Sequence, residues 1–221
     1  MAGSSLKIAG LKSVTEGARA LASQKFTHFL VLDFEATCEA NGTPDPQEII
    51  EFPCLKLNAS TLSVDSVFHR YVRPVHRPQL SSFCTQLTGI VQEMVASEST
   101  FPEVFASFQQ WMQDEGMLED PEKVITVTCG DWDLKSMLPR QCALSDLPIP
   151  SYLNRWINLK KSFCAQTGVW PKGLPHMLEV ISLPFEGRLH SGIDDTKNIV
   201  RIMQHLAQQG LVFEQTSWRS A

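Results

Sequence analysis

The sequence predicts an α/β fold, a mixed sheet with helices on its faces, and three observations carry that reading. A near-continuous apolar run, 28–34, has the composition of a central strand buried on both sides. Turn-rich links, Asn41-Gly42-Thr43-Pro44 and Asn58-Ala59-Ser60, join it to two further strand-like segments in an antiparallel meander. From Thr100 onward, helical periodicity alternates with one more β-branched run.

The elements follow in order. Residues 1–25 carry Lys7, Lys12, Arg19 and Lys25 against the single Glu16, and read as an N-terminal extension, flexible or weakly transit-like. A domain is expected over 26–216, with a short tail over 217–221. After the first strand, 48–57 (EIIEFPCLKL) is apolar but holds Pro53, which predicts a bulge or a sheet edge. Residues 66–72 (SVFHRYV) alternate as a strand with one wet face does.

Thr100 and Glu103 have capping-box spacing ahead of an apolar stripe of Phe101, Val104, Phe105, Phe108, Trp111 and Met112, stopped before Gly116. The run 124–129 (VITVTC) is strand-like, and Gly130-Asp131-Trp132-Asp133-Leu134 predicts a strand running into a helix with Asp131 as its cap. Asp194-Asp195-Thr196 opens a last helix, with Ile199, Ile202, Met203 and Leu206 on one face and Gly210 beyond its end.

At 221 residues, 43% hydrophobic and 19% charged, the chain has the makings of one globular core. No apolar stretch approaches the roughly 20 residues that span a bilayer. A net charge of −5 argues against nucleic acid only if charge alone decides, and a site that binds its polyanion through metal ions escapes that argument. The six cysteines (38, 54, 84, 129, 142, 164) form no C-x-x-C pair and read as reduced thiols. The histidines show neither H-x-x-x-H nor H-E-x-x-H spacing, so a zinc hydrolase has little support.

Inside the first apolar run, Asp33 and Glu35 lie two residues apart, which on a strand places both on one face. At about 4 Å and an effective dielectric near 20, two such charges repel by roughly 4 kcal/mol, and a divalent cation between them reverses the sign. The pair reads as half of a metal site. Three more positions recur where strands end and helices begin: Asp133, Asp195 and His190. Singly, each has a plain explanation: a first-turn aspartate, a helix cap, a loop histidine.

Together, a D-x-E strand, a second strand-terminal Asp and H-x-x-x-x-D at the head of a helix resemble the DEDDh exonucleases, from about His28 to Gln215. The wording is closer still to the Eri-type 3′→5′ exoribonucleases. The segments that carry it are Asp33-Phe34-Glu35-Ala36-Thr37-Cys38, Glu48-Ile49-Ile50-Glu51-Phe52-Pro53, Leu87-Thr88-Gly89-Ile90, Gly130-Asp131-Trp132-Asp133, Trp156-Ile157-Asn158-Leu159 and the stretch from His190 to Ile199. Residues 127–135 (VTCGDWDLK) are similar to the compact, prion-protein-interacting branch of that family.

The resemblance implies an RNase H-like (DnaQ-like) mixed five-stranded sheet flanked by helices on both faces. It implies a hydrolase that removes nucleoside 5′-monophosphates from RNA 3′ ends with two ions, Mg²⁺ or Mn²⁺. Asp33, Glu35, Asp133 and Asp195 are then the metal ligands, and His190, on a loop between Gly187 and Gly192 that lets it swing, the general base. Asp194 is left to cap the helix. Ala36, Thr37, Leu87, Trp132 and His190 are the expected contacts to the terminal nucleotide, with Trp132 stacking on a base. The expected partner is RNA with a single-stranded 3′ end, with a protein partner for substrate choice, no membrane and a monomeric chain, in the cytoplasm, the nucleus or both. Two alternatives stand beside this reading: a 3′→5′ DNA exonuclease using the same five residues, and a non-catalytic RNA-binding scaffold.

Overall fold

The computed structural model describes residues 21–219, so most of the N-terminal extension lies outside the described residues. One sheet holds strands β1 (His28–Leu32), β2 (Glu35–Ala36), β3 (Ile49–Asn58), β4 (Val64–Tyr71), β5 (Val124–Thr128), β6 (Arg155–Asn158) and β7 (Ser217–Trp218). The helices are α1 (Ser82–Thr88), α2 (Gln92–Val95), α3 (Phe101–Asp114), α4 (Leu138–Leu144), α5 (Leu159–Thr167), α6 (Leu174–Val180) and α7 (Gly192–Gln208). Asp133–Met137 forms a π-helical turn that runs into α4.

β3 is antiparallel to β4 on one side and to β1 and β2 on the other; β5 runs parallel to β1, β6 parallel to β5, and β7 antiparallel to β6. The expected five strands are therefore present, and β2 and β7 are two-residue additions to them. Ser217 and Trp218 pair with Trp156 and Arg155, so the segment read as a tail begins inside the sheet.

Strand periodicity divides the core. Leu30, Leu32 and Phe34 face α3 and α4, packed with Phe52, Phe68, Phe105 and Phe108. Phe29 and Val31 face α5, α6 and α7, packed with Leu55, Val127, Phe163, Ile199 and Met203. A sheet sandwiched between two helical layers results, as the alternation of elements predicted.

The capping box at α3 is formed: Thr100 N–H donates to Glu103 Oε2 at 2.8 Å. Pro53 is at neither edge. It lies where β3 passes from pairing with β1 (Leu32 opposite Cys54) to pairing with β2 (Glu51 opposite Glu35), a gap that demands no ladder hydrogen bond there. Asp131 does not cap the following helix either. Its carboxylate turns to β6 and β7 and accepts from Trp156 Nε1 (2.9 Å) and Ser217 Oγ (2.8 Å). Among the described residues, no helix is long and apolar enough to cross a membrane.

Candidate active site

β1 stops at Leu32, and the chain steps through Asp33 and Phe34 before pairing again at Glu35. The alternation that sends Leu32 and Phe34 to the α3 layer leaves Asp33 and Glu35 on the α7 side. From the parallel neighbour β5, the chain enters the π-helical turn with Asp133 buried at its head. Asp133 Oδ1 accepts the Phe34 N–H at 2.9 Å, which fixes that carboxylate against the step between Asp33 and Glu35. π-turns of this kind recur at functional sites.

α7 delivers Asp195 from the opposite side. Its first residue, Gly192, approaches so closely that a Cβ there would lie 2.8 Å from the Asp33 carbonyl oxygen. Asp195 Oδ2 accepts the His190 N–H at 3.0 Å, with His190 held at φ +63°. Donor atoms of Glu35, His190 and Asp195 all lie within 4.8 Å of one another. Asp33 falls outside that mutually close set, as does Asp133.

The electrostatics match the crowding. Burial first, then Asp133, Asp195, Glu35 and Glu51, push the Asp33 carboxyl well above its ordinary value. Burial and the charges of Asp195, Glu51 and Asp133 raise Glu35 to about 9. Asp195 rises to about 7, chiefly through burial, against the stabilising His190 N–H. Asp133 rises to about 6 through burial, offset by the N–H groups of Phe34 and its own backbone. Burial and then the Arg188 charge lower the His190 imidazole, which favours the neutral form a base requires.

Asp195 Oδ1 is buried and has no hydrogen-bond partner. An orphaned carboxylate oxygen facing other carboxylates is costly unless a cation takes it, so the donor set fits a hard divalent ion.

Other expectations divide. Ala36, Leu87, Trp132 and His190 line a cavity of about 260 Å³ together with Asp33, Phe34, Glu35, Cys38 and Gln47. Thr37 does not line it: its hydroxyl accepts from Glu48 N–H (3.0 Å), its N–H donates to Glu48 O (2.8 Å), and its carbonyl takes Gln47 Nε2 (2.9 Å). Asp194 is not the helix cap, a position held by Ser191; its carboxylate takes the Arg188 N–H (3.0 Å) and Lys197 Nζ (3.1 Å). The flanking glycines are closely packed: a Cβ at Gly187 would lie 2.5 Å from the Asp194 side chain and one at Gly192 2.8 Å from Asp33 O, and Arg188 Nη2 donates to Gln86 O at 2.6 Å, tying the loop to the end of α1.

Sequence reasoning missed Glu51. It is 1% exposed, and its Oε2 accepts Gly192 N–H (2.9 Å) while Oε1 accepts Ile193 N–H (3.2 Å) and bonds His69 Nε2 (2.8 Å). A carboxylate on two free N–H groups at a helix start is favoured by their dipoles. The available signal was an acidic residue in the otherwise apolar 48–57 run, of the same kind that drew notice to Asp33.

With this geometry in view, the chain matches the family model for exonucleases (RNase_T) over residues 30–203. It is 53% identical over 195 residues to ERI1 exoribonuclease 3 of Homo sapiens, covering 88% of this chain and 58% of that protein. The chain thus spans a little over half the length of that relative, and about a third of others such as ERI1 exoribonuclease 2 of Xenopus laevis (31%). Among solved structures, the nuclease domain of 3′hExo, a DEDDh family member bound to rAMP, is 38% identical with a TM-score of 0.83, over 90% of this chain and 100% of that one. A 3′-exonuclease recognising the histone mRNA stem-loop is 36% identical with a TM-score of 0.85, over 91% of this chain and 70% of that one.

Proposed function

The chain belongs to the exonuclease family, of the DEDDh, Eri-type kind, and from that membership we propose that it is a metal-dependent 3′→5′ exoribonuclease releasing nucleoside 5′-monophosphates. The observation that carries the proposal is the convergence of Glu35, His190 and Asp195 beside Asp33, with one buried Asp195 oxygen left without a partner.

Asp33, Glu35 and Asp195 would hold one ion and Asp33 with Asp133 a second, Mg²⁺ or Mn²⁺. Paired divalent ions supply an acidified water and stabilisation of the departing oxygen. The chain's own residues do the rest. His190, neutral at physiological pH, takes a proton from water as its oxygen bonds to phosphorus; the P–O3′ bond breaks and the departing 3′-oxygen takes up a proton from solvent, leaving a nucleoside 5′-monophosphate and a new 3′-hydroxyl. Asp133, fixed by Phe34 N–H, holds its face of the site still as charge builds. Trp132, 41% exposed on the cavity wall, offers a surface for the terminal base, with Leu87 of α1 also lining the cavity.

The test is hydrolysis of a 3′-labelled RNA and a matched DNA with Mg²⁺ or Mn²⁺. Wild-type protein is expected to release labelled mononucleotide, faster from RNA, and Asp33→Ala to lower the rate by at least about 100-fold, the scale of losing one designed electrostatic group. An Asp33→Ala protein as fast as wild type overturns the reading.

A further inference from the structure

Beside the active-site cavity lies a second, smaller cleft of about 140 Å³, lined by Lys135, Lys161, Thr216, Ser217 and Trp218 with Asp131 at its base. The two are joined through the chain: Asp131 lines the cleft and the next residue, Trp132, lines the cavity.

Charge in this cleft runs against the rest of the molecule. The chain carries 24 acidic side chains against 19 lysines and arginines, yet among the described residues the only acidic one lining the cleft is Asp131. Its carboxylate is already engaged by Trp156, Ser217 and, at 3.5 Å, Lys161. Lys135 is exposed and makes no ion pair among the described residues. Lys160, half-buried and not part of the cleft lining, also makes no ion pair among the described residues; its backbone N–H donates to Cys129 O (3.3 Å) and its Nζ reaches Lys172 O (3.2 Å). Lys160 and Lys161 occupy the first turn of α5, the end where a helix disfavours cations. Trp218, 68% exposed, stands at the cleft mouth on a two-residue strand that buries little of it.

Lysines in excess of the one acidic group beside them, set next to an exposed aromatic, are the surface that a single strand of nucleic acid uses, phosphates on the cations and a base on the ring. We propose that this cleft seats the RNA strand upstream of its last two nucleotides, with Lys135 and Lys161 on its phosphates and Trp218 against a base. The proposal rests on the exonuclease reading and adds to it the route by which substrate reaches the cavity. On this proposal a dinucleotide ends short of the cleft, whereas an octamer reaches it.

The experiment measures kcat and KM on a diribonucleotide and an octaribonucleotide, over a range of KCl, for wild type, Lys135→Ala, Lys161→Ala, the double variant and Trp218→Ala. Turnover of the dinucleotide by wild type checks the exonuclease reading separately. For the double variant, KM on the octamer is expected to rise about tenfold or more, against at most about twofold on the dinucleotide. The slope of log(1/KM) against log[KCl] on the octamer should fall by about 1.4, or about 0.7 for each single-strand phosphate that no longer meets a lysine. Trp218→Ala should raise octamer KM about tenfold with the slope kept, the signature of stacking. Lys161 also bonds Ser217, so Lys135→Ala, whose side chain is free in solvent, is the arm that a loosened β7 cannot mimic. Equal changes on both substrates, an unchanged salt slope, or loss of binding to an acidic peptide with RNA kinetics intact would each overturn the proposal.

Discussion

Asp195→Asn is expected to abolish catalysis and, at the same time, to make the metal-free protein more stable. The cause is electrostatic. Asp195 is 4% exposed, and its carboxyl rises from 3.8 to about 7 on folding, mainly because burial disfavours its charge. Relative to a side chain that never ionises, this shift costs folding about 4 kcal/mol at about pH 8, where the carboxyl is ionised in both states, and about 2 kcal/mol at about pH 5, where only the unfolded chain ionises it. A folded-state value raised above the unfolded one means stability that is whole below the ordinary carboxylate range and lost as pH rises through about 7. Asn carries no charge, its carbonyl can still accept the His190 N–H, and its NH₂ takes the place of the orphaned oxygen among carboxylate acceptors.

The assay is thermal unfolding in EDTA at both pH values. Asp195→Asn should unfold higher by up to about 8–16 °C at about pH 8, taking 2–4 °C per kcal/mol for a chain this size, and by about half that at about pH 5. A variant less stable than wild type at both, or a gap that does not shrink on acidification, refutes the account of a charge-strained site.

The same strain governs metal. Adding Mn²⁺ or Mg²⁺ to wild type should raise the melting temperature more at about pH 8 than at about pH 5, since protons compete for Glu35, Asp133 and Asp195 across the window from about 6 to about 9; equal shifts would contradict this. Glu51→Ala strands the Gly192 and Ile193 N–H groups and should cost about 3 kcal/mol by denaturant titration; Glu51→Gln, which keeps an acceptor, should cost less. Trp132→Ala should raise KM roughly tenfold with kcat little changed, if base stacking is its role. Phe108→Ala, fully buried with its ring 4.8 Å from Phe52, should lose about 3–5 kcal/mol while the metal-induced stabilisation persists.

Most of the layout was legible because local patterns and tertiary packing agree in this chain. The α3 capping box, the apolar runs of β1 and β5 and the stripe of α7 each form as their spacing dictates. The carboxylates of the site were legible for the opposite reason, since charges within apolar strands contradict local logic. What stayed hidden depends on partners distant in sequence. Asp131 has the look of a cap, yet Trp156 and Ser217, 25 and 86 residues away, take its carboxylate. Pro53 suggested an edge because nothing in its own segment shows that β1 and β2 hand over beside it. Gly187 and Gly192 suggested freedom, but both are small because something lies against them.

Glu51 joins these two kinds of residue. It belongs by charge with the carboxylates of the site and raises the Asp33, Glu35 and Asp195 values, yet its oxygens are engaged by Gly192, Ile193 and His69. Those bonds seat the head of α7 against the broken end of β1, with no room for a Cβ at Gly192. Asp195, one turn further on, is thereby held near Glu35 despite the mutual repulsion of their charges. The strain is localised in side chains that a cation can satisfy, while the backbone beneath them is fixed by a carboxylate whose partners are backbone N–H groups and a histidine. Neutralising Asp195 should therefore relax the site without moving α7, whereas truncating Glu51 should disturb α7 and the site together.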